Sequence, residues 1–361
     1  DSVTYIGSQC FYDCPNLTTV TLPEGAAMDM SNAPFALCDK LTSVTLPATL
    51  EGTSNAGAFA VEGESERNLS VSFPGSYTVF YLHTKDAAAN LADAEIEYFG
   101  GAETVRDGNG SEYLLCEDAE GNEYYTLVGF YDTVKAGDPL APVAGYTIPK
   151  TYNDIPIKAI GEAVFNANAY ANEDVANWLE STVTAVIVGI MNIAEDQTVT
   201  WSDNNVTSIG NYNFVGMTAC AQLRLPTAIT NATLVGCYVD LNAATYIRVP
   251  RGVKVLDDCF QWSGAYFGGA TGRWLILPSS MEMFTGECWT GTPNGFGFVL
   301  DVSNNSASDT LNTILDNSTC TTATWEGAIV PFFKTFAGAG LVLGEGNAAG
   351  FTYNLFISLG F

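Results

Sequence analysis

The chain has 361 residues, of which 47% are hydrophobic and 12% aromatic, so it can bury a sizeable core and is not a disordered segment. Its 40 acidic residues against 13 basic ones give a net charge of −27, which repels nucleic-acid phosphates and anionic lipid. We therefore expect no nucleic-acid partner. The apolar run 183–193 is too short for a transmembrane helix, so we also expect no membrane insertion in this segment.

The composition and the first residue both bear on the cellular location of the protein. Only 15% of the residues are charged, and Thr, Ser, Asn and Gly supply much of the polar surface, which is typical of secreted or cell-surface proteins. The chain opens at Asp1, without an initiating Met or a signal peptide. We therefore expect that something upstream has been cleaved or omitted.

A repeat of about 24 residues occupies the start of the chain. Two copies of the pattern Phe-x-x-Cys-x-x-Leu-x-x-Val-x-Leu-Pro have every key position at the same offset: Phe11, Cys14, Leu17, Val20, Leu22 and Pro23, then Phe35, Cys38, Leu41, Val44, Leu46 and Pro47. A fixed period in this range predicts a solenoid, in which each coil buries its apolar face only against its neighbours.

An apolar-x-apolar-Pro triplet ends these coils and returns along the chain. The alternation predicts a short strand, and Pro ends it because Pro has no N–H to donate to the next coil. Later copies end at Pro74, Pro149, Pro226, Pro250 and Pro278, and at Phe298-x-Leu300 the proline is replaced by Asp301. The triplets predict arrays over both halves of the chain.

Two β-hairpin patterns follow these arrays. The first joins 113–115 to 124–130 around a turn at 121–122, and the second joins 341–343 to 353–361; polar segments with helical character, 84–94 and 306–315, precede them. The shared order of array, cap and hairpin indicates a duplicated module of about 230 residues. The predicted domains are a partial repeat array with a helical cap (1–100), a hairpin connector (101–140), a second array (141–302), and a cap with a C-terminal hairpin (303–361).

The stretch from Ile6-Gly7 to Leu22-Pro23 closely resembles the BspA-like leucine-rich repeat family, whose usual form is Ile-Gly-x-x-Ala-Phe-x-x-Cys-x-x-Leu-x-x-Ile-x-Leu-Pro. Residues 148–165 look like the opening of a second array, and Cys10 departs from the usual Ala. Taken with the hairpin and helical patterns above, the resemblance predicts a mainly β fold: an irregular leucine-rich-repeat solenoid, interrupted and ended by β-hairpin modules, with few short helices. It also implies extracellular or surface-attached proteins that mediate adhesion and protein contact without enzymatic activity.

The sequence assigns no catalytic, cofactor-binding or metal-ligating residue. His83 is the only histidine, so a Ser–His–Asp or Cys–His site would have to use it, and it follows a coil in a polar segment. The acidic run 117–123 could hold Ca²⁺, but its position between two apolar strands favours a solvated hairpin turn. No carboxylate pair stands out for glycosidase chemistry.

Nine cysteines leave at least one thiol without an intramolecular disulfide. Two pairs share a column of the repeat: Cys14 with Cys38, and Cys259 with Cys288. Adjacent strands are about 4.8 Å apart, within the Cα range of a disulfide, yet parallel ladders rarely offer the required torsion. The sequence leaves two alternatives, a disulfide or a ladder of buried thiols that pack as small hydrophobes, and it favours the second.

Asn-x-Ser/Thr sequons mark candidate N-glycosylation sites in an extracellular protein. They lie at Asn16, Asn68, Asn109, Asn205, Asn231, Asn304 and Asn317. We expect some of them to be occupied if the source is a eukaryote.

Two functions compete. The first is a secreted or cell-surface structural protein that assembles head-to-tail into a filament or surface layer, because the chain begins in mid-repeat and ends on an apolar strand, 355–361. Its partner would be itself or another surface protein, joined by coil stacking or strand addition. Alternatively, both ends reflect a cut from a longer tandem protein. The second function is an adhesin that binds host protein or glycan through the solenoid face, with Trp178, Trp201, Trp262 and Trp289 as candidate contacts.

Overall fold

The computed structural model describes the chain in segments. These are residues 3–61, 68–131, 145–183, 185–187, 190–193, 199–202, 205–225, 229–244, 246–250, 252–261, 273–278, 280–288, 296–301, 313–314, 316–319, 334–337 and 340–343. Two compact units divide the chain: Asp1–Arg106 with Glu112–Leu114 and Asn168–Glu173, and Asp107–Ser111 with Leu115–Ala167 and Asp174–Phe361.

Short strands dominate the first unit. They are β1 (Tyr5–Ile6), β2 (Thr19–Thr21), β3 (Ala27–Asp29), β4 (Ser43–Thr45), β5 (Thr49–Glu51), β6 (Ser70–Ser72), β7 (Glu95–Glu97) and β8 (Thr104–Arg106). Helix α1 spans Tyr77–Thr84 and continues into a 3-10 helix, Lys85–Leu91; a second 3-10 helix spans Phe99–Gly101.

The remaining strands are equally short in most cases. They are β9 (Ser111–Glu117), β10 (Glu123–Phe130), β11 (Gly145–Thr147), β12 (Thr151–Tyr152), β13 (Ile155–Ile160), β14 (Ala185–Ile187), β15 (Ile190–Ile193), β16 (Val199–Ser202), β17 (Ser208–Ile209), β18 (Gln222–Arg224), β19 (Thr233–Val235), β20 (Tyr246–Arg248), β21 (Val255–Asp257), β22 (Arg273–Pro278), β23 (Met283–Thr285), β24 (Phe296–Asp301), β25 (Lys334–Ala337) and β26 (Gly340–Leu343). The helices are a 3-10 turn (Ala167–Ala169), α2 (Glu173–Asn177) and a π-helix (Trp178–Thr182).

Each of the first three coils contributes two strands to two parallel ladders. One ladder runs β1-β3-β5 and the other β2-β4-β6-β7. In the second ladder, Val20 pairs with Val44 and Val44 with Val71, and all three are buried while their strand neighbours face outward. This is the predicted solenoid, and the Pro-terminated triplets mark this ladder.

Stacked phenyl rings form the centre of the first array. Phe11 lies over Phe35 with ring centroids 5.3 Å apart, and Phe35 lies over Phe59 at 5.1 Å. Because the rings come from the same position of successive coils, the coil spacing sets the stacking distance. Phe35, between its two neighbours, has no exposed surface.

Helix α1 closes the third coil. Ser76 caps it, because its Oγ accepts a hydrogen bond from the Val79 N–H at 3.3 Å. Phe80 on its buried side packs against Phe73 of the third coil, with centroids 5.7 Å apart. The helical segment predicted over 84–94 therefore begins earlier, at Tyr77, because the cap and the buried side chains precede the polar stretch.

The second unit repeats the two-ladder plan. Parallel ladders run β11-β14-β18, β19-β21-β23 and β20-β22-β24, and β13 pairs in parallel with β17. Its aromatic column consists of Phe165, Phe214, Tyr238 and Phe260, with successive centroids 5.6, 5.7 and 5.2 Å apart. The mainly β solenoid with few short helices is confirmed.

The hairpins differ in how far the structure describes them. Strands β9 and β10 flank the predicted turn, which confirms the first hairpin. Residues 341–343 form a strand as expected, but their antiparallel partner in the structure is the upstream strand β25. The expected partner 353–361 lies outside the described residues, as does most of the predicted helical segment 306–315. Pro278 is the last residue of β22, and its pairing with Asp301 is the last of that ladder, so the strand ends at this proline as expected.

Replacing Phe35 tests the aromatic column. Phe35→Ala should lower the free energy of unfolding by about 3–5 kcal/mol, because it opens a cavity between two rings. Phe11→Ala is the matched control and should cost less, since Phe11 is only half-buried and stacks on one side. Chemical unfolding followed by circular dichroism measures both, and equal losses would contradict the stacking argument.

Candidate interaction surfaces

The first coil exposes residues whose counterparts in the second coil are buried. Phe11, Cys14 and Leu17 are half-buried, whereas Phe35, Cys38 and Leu41 have no exposed surface. Tyr12 is 46% exposed, and the residue at its position in the second coil, Ala36, is buried. We call Phe11, Tyr12, Cys14 and Leu17 the end surface. It is apolar because its side chains are the ones that hold a neighbouring coil elsewhere in the array.

The backbone at the end surface has the geometry of a coil junction. Asp13 N–H donates to Ala36 O at 2.9 Å and Leu22 N–H donates to Thr45 O at 3.0 Å, while Thr42 N–H returns a bond to Thr18 O at 2.9 Å. The first two coils thus both donate and accept backbone hydrogen bonds across their junction. A coil placed on the end surface could pair with the first coil by the same rules.

A second surface lies on the outward side of the β2-β4-β6 ladder. The polar side-chain groups of its six residues are all hydroxyls: Thr19, Thr21, Ser43, Thr45, Ser70 and Ser72. Parallel pairing places them in two rows with a spacing of about 4.8 Å along each row. The rows end at β7 with Glu95 and Glu97, and Ser72 Oγ donates to Glu97 Oε2 at 3.0 Å. We call the six residues the hydroxyl face.

Sequence reasoning did not single out the hydroxyl face. The signal was present, since each buried Val of the ladder has Ser or Thr on both sides. Of the four tryptophans proposed as contacts, the structure describes the side chain of Trp178 alone. Trp178 is buried, while Trp262 and Trp289 lie outside the described residues and the side chain of Trp201 is not described.

Of the four cysteines named from the sequence, Cys14 is half-buried on the end surface, and the other three lie in the coil interiors. Cys38 Sγ donates to Phe11 O at 2.9 Å. Cys259 Sγ donates to Leu234 O at 3.5 Å and Cys288 Sγ to Leu256 O at 3.3 Å, and Cys259 N–H donates to Cys288 Sγ at 3.2 Å. Each thiol therefore reaches a backbone carbonyl of the preceding coil.

Cys237 directly precedes Tyr238, as Cys259 precedes Phe260, and so occupies the column of Cys259 and Cys288. Sequence analysis missed it because the residues before it match the repeat pattern poorly. It is buried, and burial raises its pKa to about 12; burial likewise raises the pKa of Cys259. A thiol held in its protonated form donates hydrogen bonds but is a poor nucleophile. Cys10, by contrast, is exposed on the first coil.

The glycosylation candidates divide by exposure. Asn16, Asn68, Asn109 and Asn317 are exposed, whereas Asn205 and Asn231 are half-buried and Asn304 lies outside the described residues. Asn231 Oδ1 accepts from Ile209 N–H at 2.8 Å, and Asn205 Nδ2 donates to Lys150 O at 3.1 Å. Occupancy stays a prediction, and the exposed group offers the better acceptors.

The acidic run forms a hairpin turn between β9 and β10. Asp118 Oδ1 accepts from the backbone N–H of Asn122 at 2.8 Å, and Asp118 Oδ2 accepts from Lys158 Nζ at 2.8 Å. The hydrogen bond from Lys158, followed by that from Asn122, lowers the pKa of Asp118 to about 2. The Asp118 carboxylate thus stabilises the hairpin turn. Across the described segments, no three His, Cys, Asp or Glu side chains converge as metal ligands would.

His83 lies on α1 with only 5% of its surface exposed. Its Nδ1 is hydrogen-bonded to Gly52 O in the turn after β5. The imidazole thus lies in the junction between α1 and the turn after β5. Within the part of the chain that the structure describes, no helix has the length and apolar character needed to cross a bilayer.

Comparisons with known proteins agree with the repeat architecture. Residues 1–80 match the family model of the BspA type leucine rich repeat region, in 6 copies, which confirms the resemblance read from the sequence. No curated protein shows significant similarity to the chain.

Three solved structures are similar to the chain. A leucine rich cell surface protein from Faecalibacterium prausnitzii A2-165 is 18% identical, with 89% of this chain and 68% of that one covered and a TM-score of 0.36. A leucine-rich repeat protein from Bacteroides ovatus ATCC 8483 is 14% identical, with 84% and 54% covered and a TM-score of 0.28. The pneumococcal vaccine antigen PcpA is 12% identical, with 91% and 84% covered and a TM-score of 0.29.

Thiol reactivity tests the assignment of the cysteines. In the folded, reduced protein, alkylation of Cys237 and Cys259 should be at least about 100-fold slower than that of Cys10, because both thiols are buried and their pKa values are raised. Peptide mass spectrometry after timed labelling measures each site, with urea-unfolded protein as the control in which the rates converge. Equal native rates would contradict the burial of this column.

Proposed function

We propose, since residues 1–80 are BspA-type leucine-rich repeats, that the chain is a non-catalytic repeat protein of the cell surface or the extracellular space. Its low share of charged residues supports this location, and so does its content of hydroxyl and amide side chains. The burial of His83, the only histidine, speaks against acid–base or nucleophilic chemistry that depends on an accessible imidazole.

We further propose that the protein associates head-to-tail through coil stacking, giving a filament or surface layer. The end surface is the observation that carries this proposal. The same positions are half-buried or exposed in the first coil and fully buried in the second, so a further coil would gain the burial that Phe35, Cys38 and Leu41 already have. A heterologous contact of this kind propagates into a filament when its rotation does not close a ring.

A charge on the end surface should weaken association. Tyr12→Glu places a carboxylate where a partner coil would exclude water, so we expect at least about a tenfold increase in the dissociation constant. Tyr12 is exposed, so the variant should keep its fold, which circular dichroism checks. Light scattering after size exclusion gives the mass over a concentration series, and negative-stain electron microscopy shows whether filaments form.

Thr45→Glu is the matched control, because it adds the same charge to the hydroxyl face of the second coil. It should leave head-to-tail association unchanged. A wild-type protein that stays monomeric at every concentration would overturn the assembly proposal. So would equal weakening by both variants.

The second candidate is an adhesin that binds glycan or a host protein through the solenoid face. The hydroxyl face favours it, since its two rows of Ser and Thr are rigid, regularly spaced and free of long side chains. Such a surface can donate and accept hydrogen bonds with a polyhydroxylated ligand.

The two variants also decide between the candidates. On a glycan array and on immobilised extracellular-matrix proteins, adhesion through the hydroxyl face predicts that Thr45→Glu lowers binding at least about tenfold, because the charge interrupts a row of neutral hydroxyls. Tyr12→Glu should bind as the wild type does. The reverse pattern, or no binding by the wild type, would remove this candidate.

A further inference from the structure

We propose that His83 is an acid-sensitive latch: it holds helix α1 and the following 3-10 helix against the third coil, and protonation of its imidazole releases residues 77–91 and uncovers the apolar end of that coil. The proposal is independent of head-to-tail association. It concerns the other side of the first array, where the third coil is covered by the chain itself.

The contacts of His83 place it at the junction. Its Nδ1 is hydrogen-bonded to Gly52 O, and because a carbonyl oxygen only accepts, Nδ1 must carry a proton. The carbonyl of His83 in turn accepts from Ser54 N–H at 2.8 Å. One residue of α1 therefore makes two links to the turn that follows β5. Gly52 has a φ of +65°, and a Cβ there would lie 3.0 Å from Asp29 Oδ1, so the turn has little room to adjust.

The other links between the cap and the third coil do not titrate. Asn90 Nδ2 donates to Ala56 O at 2.7 Å and to Ala58 O at 2.9 Å, and Phe80 packs against Phe73. His83 is consequently the one titratable side chain among the described links of this junction. A change of pH between 7.5 and 5.5 acts on the junction through the imidazole.

Few charged groups lie near His83, and most of them are hydrogen-bonded to other residues or exposed to solvent. On the coil side, Asp29 Oδ1 accepts from Ser31 N–H and its Oδ2 from the Tyr5 hydroxyl, while Glu51 is exposed. On the helix side, Lys85 and Asp86 follow His83, one of each sign. Burial therefore dominates and lowers the pKa of His83, although the hydrogen bond to Gly52 O opposes the shift.

The sign of the effect follows from this lowered pKa. In the released state the imidazole has its ordinary pKa of about 6.5, so that state binds more protons than the closed state at mildly acidic pH. The closed cap is fully favoured above pH about 6.5 and loses stability as the pH falls below that value. The equilibrium for release should rise by about five- to tenfold between pH 7.5 and 5.5.

Release would uncover a surface that is now part of the core. Phe59 and Phe73 of the third coil are buried, and Phe80 of the helix covers Phe73. Without α1, Phe73 would lose the ring that covers it and become more exposed to solvent. Acid would thus expose the side of the third coil that α1 covers, while β6 stays paired with β7.

Hydrogen exchange of the full chain tests the latch. Amides of residues 77–91 should exchange about five- to tenfold faster at pH 5.5 than at pH 7.5, after correction for the intrinsic pH dependence, while the β2-β4 ladder should not change. His83→Asn is the matched variant, because its side-chain N–H can still reach Gly52 O but does not titrate. Its exchange over 77–91 should be independent of pH. Equal pH dependence in the variant and the wild type would overturn the proposal.

A second measurement covers the case in which His83→Asn does not fold. The wild-type chain has one histidine, so its ring protons give one resolvable NMR titration. A pKa below the ordinary value of about 6.5 supports the latch. A pKa at or above that value would overturn it, because protonation would then not favour release.

Discussion

Everything in this fold depends on the stacking of one coil on the next. Each strand of the β2-β4-β6 ladder buries a single side chain, Val20, Val44 or Val71, and three residues cannot form a core by themselves. The burial comes from in-register pairing, which puts like residues on top of one another. The stability of a coil therefore depends on its neighbours. Phe11 and Leu17 of the first coil keep exposed surface, whereas Phe35 and Leu41 of the second coil have none.

Stacking also explains the unusual residues of the interior. Phe59, Phe214, Tyr238 and Phe260 have positive φ values, a conformation that costs a non-glycine residue about 1–2 kcal/mol. Stacking on a neighbouring ring offsets part of that cost, since each aromatic pair adds its own attraction to the burial. Carbonyls turned inward by such tight turns need donors, and the buried amide of Asn213, bonded to Gly161 O and Gly210 O, supplies two. The cysteine column does the same with thiols.

This dependence decides what the sequence could reveal. The triplets predicted one ladder because a buried residue alternates with polar ones and Pro marks the end. The ladder β1-β3-β5 escaped notice because its strands contribute only Ile6, Met28 and Leu50 and have no common flanking residue. The helix start at Tyr77 was missed because Ser76 caps a segment with no amphipathic period. Of the candidate surfaces, the end surface followed from the repeat, whereas the hydroxyl face is invisible to a search for apolar periodicity.

Two kinds of surface follow from such an array, and they are constrained differently. Side chains on the lateral faces, such as Thr45, can change without disturbing the core, so that specificity for a ligand can develop there at little cost in stability. Side chains on an end, such as Phe11, are the same ones that pack against a neighbouring coil elsewhere in the array. An end therefore exposes apolar surface unless another coil or a cap covers it. The chain caps one such end with α1 and ties that cap to the coil through a buried histidine. An array whose ends are inherently adhesive thus has a physical reason to control when an end is covered.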